Sequence, residues 1–200
     1  MKRNYSGISL KDAMLLLGQG DFKPWRIDAP PRPPSGFLRE ALTRFESFDT
    51  QNTEAAKLLL IDALFAEIVP GHPSLKVWKA MPLESDTLTG TADYLLASKR
   101  AYLALPLLCV AEAKRDDFVQ GRAQCLAEMA ACRWNNAQEG HETEVFGIVS
   151  NGQTWQFYRL ALTGAVYETE IYTVAFLPEL LGALEHVCAE CAKNVPQAGA

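Results

Sequence analysis

The stretch Leu107-Leu108-Cys109-Val110-Ala111-Glu112-Ala113-Lys114 is an apolar run that ends in a carboxylate and an ammonium group two residues apart. Read as a β-strand, its two-residue period puts Leu108, Val110, Glu112 and Lys114 on one face. Charges at the end of a core strand carry a desolvation cost that something must offset. A divalent cation with a phosphate group is one such partner. Asp93 stands nineteen positions before Glu112, in a second apolar segment where it shares a face with Thr91 and Leu95. If the two segments pair as neighbouring strands, Asp93 approaches Glu112. Two carboxylates offer hard oxygen ligands that suit Mg²⁺, which keeps several waters for substrate contact. The ion polarises a phosphate and lowers the pKa of its bound water. Lys114 would orient or help deprotonate that water and offset charge in the transition state. The trio therefore predicts metal-dependent phosphodiester hydrolysis.

Other residues carry weaker signals. Glu54 lies on the same helical face as Leu58, Ile61 and Phe65, so its carboxylate either points inward toward a site or complements the helix dipole from the first turn. Gln120, Gln124 and Glu128 are spaced by four. They form one helical face that either contacts nucleic-acid phosphates or adenine, or is a solvated stripe. His72 and His141 read as surface loop residues, without partners at metal-ligand spacing. Cys188 and Cys191 form a C-x-x-C, but they fall on the apolar stripe of a terminal helix and read as core thiols. The odd count of five cysteines fits reduced thiols better than a disulfide framework. There is neither a phosphate-cradling G-x-x-x-x-G-K-[ST] loop nor a G-x-S-x-G elbow. Trp155, Phe157 and Tyr158 read as cross-strand packing.

The elements that must position these groups follow from pattern. A short helix is expected over residues 8–18, then a strap with prolines at 24, 30, 31, 33 and 34. A helix capped by Asn52 or Thr53 runs to Pro70. Three strands follow, near 75–82, 91–98 and 105–114, the third buried on both faces. Asp116 or Asp117 caps a helix to about Arg133. Asn151-Gly152 joins a hairpin of 145–150 and 154–162. A strand at 165–174 and a helix after Pro178 close the chain. This order predicts a mixed α/β layer fold around one central sheet.

With 48% hydrophobic residues in 200, the chain can bury a full core. No apolar run reaches the roughly eighteen residues of a bilayer span, so the expected setting is intracellular and cytoplasmic, away from membranes. The net charge of −5 is uneven. Residues 1–44 hold eight Lys/Arg against four Asp/Glu, leaving −9 for the remainder. An acidic body argues against nonspecific nucleic-acid binding over the bulk surface. The basic, proline-rich segment 1–44 reads either as a solvated tail or as a DNA clamp, ahead of a domain over 45–195.

Asp93, then Glu112-Ala113-Lys114, then a helix carrying Gln120, resembles the PD-(D/E)xK nuclease superfamily. The similarity is nearest to the N-terminal nuclease domain of type I restriction enzyme motor subunits and related small stand-alone proteins, and it covers about Glu54 to Leu160. It implies a restriction endonuclease-like three-layer core, a central mixed β-sheet flanked by helices. It also implies Asp93 and Glu112 as metal ligands, Lys114 as the catalytic lysine and Glu54 at a further ligand position. Ala92 replaces the eponymous proline, and Gln124 stands where some members have the tyrosine of Gln-x-x-x-Tyr. The expected activity is Mg²⁺-dependent DNA cleavage, with Mn²⁺ as a substitute ion and Gln120 and Gln124 as substrate contacts, in a homodimer or larger nuclease assembly. The rival is a catalytically inactive nuclease-like module that binds nucleic acid or a protein. A structural protein with Glu112 and Lys114 as an internal ion pair is a third reading.

Overall fold

A computed structural model of the chain describes residues 2–49, 54–113 and 118–196, with only the backbone of residues 54–56. The elements in order are β1 (Arg3–Asn4), α1 (Leu10–Leu16), β2 (Lys23–Pro24), α2 (Gly36–Phe45), α3 (Glu54–Ile68), β3 (Leu75–Glu84), β4 (Leu88–Ser98), β5 (Leu107–Ala113), α4 (Phe118–Gln138), β6 (Val145–Ser150), β7 (Thr154–Leu160), β8 (Val166–Glu168), β9 (Tyr172–Thr173) and α5 (Leu177–Lys193). The strands form one mixed sheet in the order β1-β4-β5-β6-β7-β8-β2, with β3 on β4 and β9 on β7. The α/β class and the order of the major elements agree with the sequence reading.

Topology fixes where α4 must lie. β5 and β6 are parallel, with Val110 opposite Gly147 and Glu112 opposite Val149. Parallel neighbours need a crossover, and α4 supplies it across one face of the sheet. Two cores result. On one face, Leu95, Val110, Val145 and Val149 pack with Cys125, Leu126 and Met129 of α4 and with Ala13 and Met14 of α1. On the other, Tyr94, Ala111, Phe146 and Ile148 pack with Leu38 of α2, Ile61 and Phe65 of α3, and Leu180 and Leu184 of α5. All seven residues of β5 are buried, as a central strand requires.

Strand alternation within β5 breaks at one point. The register shifts between Leu96 and Ala97, where Cys109 and Leu107 are their partners, so Leu108 is the extra residue of a bulge. Leu108 therefore belongs to the α3/α5 core while Val110 belongs to the α4 core. The expectation that Leu108 shares a face with Val110 and Glu112 is corrected for this reason.

The N-terminal segment is not a solvated tail. Tyr5, Ile8, Ala13, Met14 and Leu17 are buried against α4. Ser9 caps α1 by accepting the Asp12 N–H, and Gly18 follows the helix at φ 69°. Lys2, Arg3, Arg32 and Arg44 are each paired with a carboxylate, those of Glu84, Asp12, Glu185 and Glu40. The proline strap lies along α5: the Arg32 N–H donates to Pro178 O at 2.8 Å. Ser35 then starts α2, a helix the sequence reading missed, with its Oγ accepting the Leu38 N–H. Across the sheet, the hairpin turn carries Gly152 at φ 85°, as the Asn-Gly signal leads one to expect.

Gly182 is where the strap and α5 come closest, since a Cβ there would sit 2.4 Å from Pro30 O. A backbone carbonyl cannot yield as a flexible side chain can. Gly182→Ala is expected to lower stability by about 1–3 kcal/mol in urea unfolding, and an unchanged midpoint would show that the strap is not seated there.

Candidate functional site

β4 and β5 are antiparallel neighbours, with Tyr94 opposite Ala111 and Leu95 opposite Val110. Continuing that register brings Asp93 opposite Glu112. The Ala113 N–H donates to Asp93 Oδ2 at 2.9 Å, so the Asp93 carboxylate reaches across to the backbone next to Glu112. Asp93 is half-buried and Glu112 is 1% exposed. Both acids lie on the α4 side, Asp93 two residues before Leu95 and Glu112 two after Val110. They stand at the carboxyl end of the parallel pair β5/β6, where open α/β sheets commonly bind ligands. Lys114 lies outside the described residues, as do Asp116 and Asp117, the expected caps of α4, and Asn52 and Thr53, those of α3.

α4 delivers a third acid that was not singled out as a site residue. Glu128 is 0% exposed, and its Oε1 accepts the Gln124 Nε2–H at 3.0 Å. Burial pushes its carboxyl well above the usual range, and the nearby charges of Glu112 and Asp93 push it further, against the opposing hydrogen bond from Gln124. Glu128 thus faces the two strand carboxylates with its carboxyl pushed toward the protonated form. The sequence did carry a signal for this. The ten residues from Ala123 to Cys132 contain only two polar ones, Gln124 and Glu128. A helix that is apolar nearly all round is buried on several sides.

The solvated-stripe reading of this helix face is corrected accordingly. α4 is covered by the sheet on one side and by Tyr5, Ile8 and α1 on the other. Gln124 is 7% exposed. The Gln120 Nε2 donates to Ser6 O at 2.9 Å and to Ile8 O at 3.2 Å. These donors serve the protein itself. The seat of α4 on the sheet is equally close: a Cβ on Gly147 would lie 2.4 Å from Met129 Sδ and 2.8 Å from Cys125 Sγ. Glu54 opens α3, which packs on the opposite face of the sheet from Glu112.

The remaining candidates separate from the site. Cys188 and Cys191 are fully buried in the α3/α5 core, as read from the apolar stripe. Burial pushes the Cys109, Cys125, Cys132 and Cys188 thiols up, which keeps them protonated. Trp155, Phe157 and Tyr158 are core residues. His72 is corrected from a free surface residue: its Nε2 lies 2.9 Å from Glu185 Oε1, and its side chain is only 11% exposed. Glu185 sits on α5 and also takes Arg32, so the loop after α3, the strap and α5 share one carboxylate.

Among the described residues, no group of three or more His, Cys, Asp or Glu could hold a metal ion. Mg²⁺ does not ask for such a cage, because it keeps several waters and takes one or two carboxylates. The donor chemistry of Asp93 and Glu112 fits that demand. No helix among the described residues is long and apolar enough to cross a membrane. Compared with protein-family models and with curated proteins, the chain has no match.

The raised Glu128 carboxyl has a pH consequence. An acid whose folded pKa lies above its unfolded value of 4.5 contributes stability that is complete below 4.5 and is lost as the pH rises toward the folded value. The slope is about 1.4 kcal/mol per pH unit. Glu128→Gln is expected to flatten the fall in unfolding free energy as the pH rises above 4.5. Identical slopes in wild type and variant would mean that Glu128 is ionised in the folded protein.

Proposed function

We propose that this chain is a divalent-metal-dependent nuclease of the restriction endonuclease-like kind, hydrolysing DNA phosphodiester bonds at Asp93, Glu112 and Lys114. The observation that carries the reading is the convergence of Asp93 and Glu112 on paired strands, with the Asp93 carboxylate bonded to the amide of Ala113. Bound Mg²⁺ or Mn²⁺ would supply phosphate polarisation and an activated water. Asp93 and Glu112 hold that ion in this reading. The Ala113 N–H orients the Asp93 carboxylate. Lys114, next in sequence after Ala113, positions the water and stabilises the developing charge. Glu54 is a further ligand if its carboxylate reaches round the end of the sheet. Gln120 and Gln124 would contact DNA only by giving up the protein acceptors they now serve.

The same geometry favours a second reading. Glu112 is almost fully enclosed, with Glu128, whose carboxyl burial pushes up, beside it. That arrangement suits a nuclease-like module without hydrolytic activity that binds nucleic acid or a protein. A homodimer or larger assembly is compatible with either.

Supercoiled plasmid incubated with the purified chain and Mg²⁺ or Mn²⁺ separates them. The nuclease reading expects nicking or degradation that falls by roughly 10²-fold or more in Lys114→Ala and in Glu112→Gln, with far-UV circular dichroism unchanged. Equal cleavage by wild type and both variants would remove these residues from the chemistry. An inert wild type would favour the module.

A further inference from the structure

We infer that the cleft between the end of β4 and the end of α5 is a phosphate-binding site. It is lined by Ser74, Ser98, Lys99, Arg100 and Lys193 among others, and among the described residues no carboxylate lines it. Three cations therefore gather in one concavity of a chain whose net charge is −5.

Three of the polar groups, those of Ser98, Lys99 and Arg100, have side chains unused among the described residues. Ser98 is 4% exposed, and its buried Oγ has no hydrogen-bond partner among the described residues. An unsatisfied buried hydroxyl is costly, and an oxyanion would satisfy it once the Ser98 side chain turned toward the cleft. The backbone around it is fixed: the Lys99 N–H donates to Ser74 O at 2.7 Å, and Lys76 Nζ donates to Arg100 O at 3.3 Å. The Lys99 and Arg100 side chains make no ion pair or hydrogen bond among the described residues, whereas Lys193 is shared with Glu190 at 2.5 Å.

The alternative use of these cations is to complement the carbonyl end of α5. Those carbonyls are already served. Cys191 O accepts from the Asn194 N–H at 3.0 Å, Ala192 O from the Val195 N–H at 3.3 Å, and Glu190 O from Asn194 Nδ2 at 2.9 Å. Lys99 and Arg100 are left to an external anion. Guanidinium, ammonium and hydroxyl donors together match the oxygens of a phosphate group.

The cleft is independent of the carboxylate site. Ser98 is five residues along β4 from Asp93, about 17 Å at the rise of an extended strand. Its ligand is either free phosphate or the phosphates of a nucleic-acid backbone. Two probes in EDTA, which removes any metal-dependent cleavage, tell these apart. Inorganic phosphate is titrated by calorimetry, and a short fluorescein-labelled oligodeoxynucleotide by anisotropy. Saturable phosphate binding that the oligonucleotide displaces assigns the backbone, and phosphate binding without displacement assigns the free ion. In either case the double substitution Lys99→Glu/Arg100→Glu is expected to weaken binding roughly tenfold or more. Ser98→Ala is expected to weaken phosphate severalfold, with an unchanged thermal midpoint as evidence of folding. Absence of saturable binding for both probes, or binding indifferent to Arg100→Gln and to the double reversal, would overturn the assignment. None of these outcomes depends on whether the chain cleaves DNA.

Discussion

Two carboxyl groups held in the apolar layer between the sheet and α4 set the terms for this structure. Glu112 projects from a strand that is buried along its whole length, and Glu128 meets it from the buried middle of α4. Ionised acids in such a place are expensive, and two of them repel as well. Burial and the neighbouring acids push the Glu128 carboxyl up, and Gln124 holds one of its oxygens. Asp93, nearer to solvent, directs a carboxylate at the backbone next to Glu112. The polar centre is therefore graded in burial, from Glu128 in the interior to Asp93 at the rim.

That gradient depends on parts of the chain remote in sequence. The parallel pairing of β5 and β6 obliges α4 to cross the face that carries the acids. Gly147 permits the helix to come down onto the sheet. Tyr5, Ile8 and α1 then close the outer side of α4, and the Gln120 amide ties that helix to the carbonyls of Ser6 and Ile8. On the opposite face, the proline strap runs against α5, and the Glu185 carboxylate joins Arg32 of the strap to His72 of the loop after α3. The N-terminal residues thus contribute to both cores.

Much of this was legible from local pattern. The continuous apolar run of β5, the alternation near Asp93, the Asn-Gly turn and the apolar stripe of α5 each name an element by its own residues. What escaped was whatever depends on coverage by distant segments. Nothing local to α4 states that residues 5–17 lie over it, so Gln124 and Glu128 passed for a polar face, although their apolar neighbours Leu126, Ala127 and Met129 hinted otherwise. His72 sits between Gly71 and Pro73 and looks solvent-facing until Glu185 of a later helix meets it. The bulge at Leu108 is equally invisible, since both of its possible faces are apolar. α2 was obscured by the prolines just ahead of it, although Ser35 is a sound cap.

The proposed hydrolysis requires Asp93 and Glu112 to act together as ligands for one divalent cation. The most direct measurement is electron paramagnetic resonance of Mn²⁺ titrated into the wild-type chain and into Asp93→Asn at neutral pH. The wild type is expected to remove the free-ion signal with saturation at one ion per chain, and the variant to leave most of that signal in place. A free-ion signal that the wild type does not diminish, or one that both proteins diminish equally, would contradict that role.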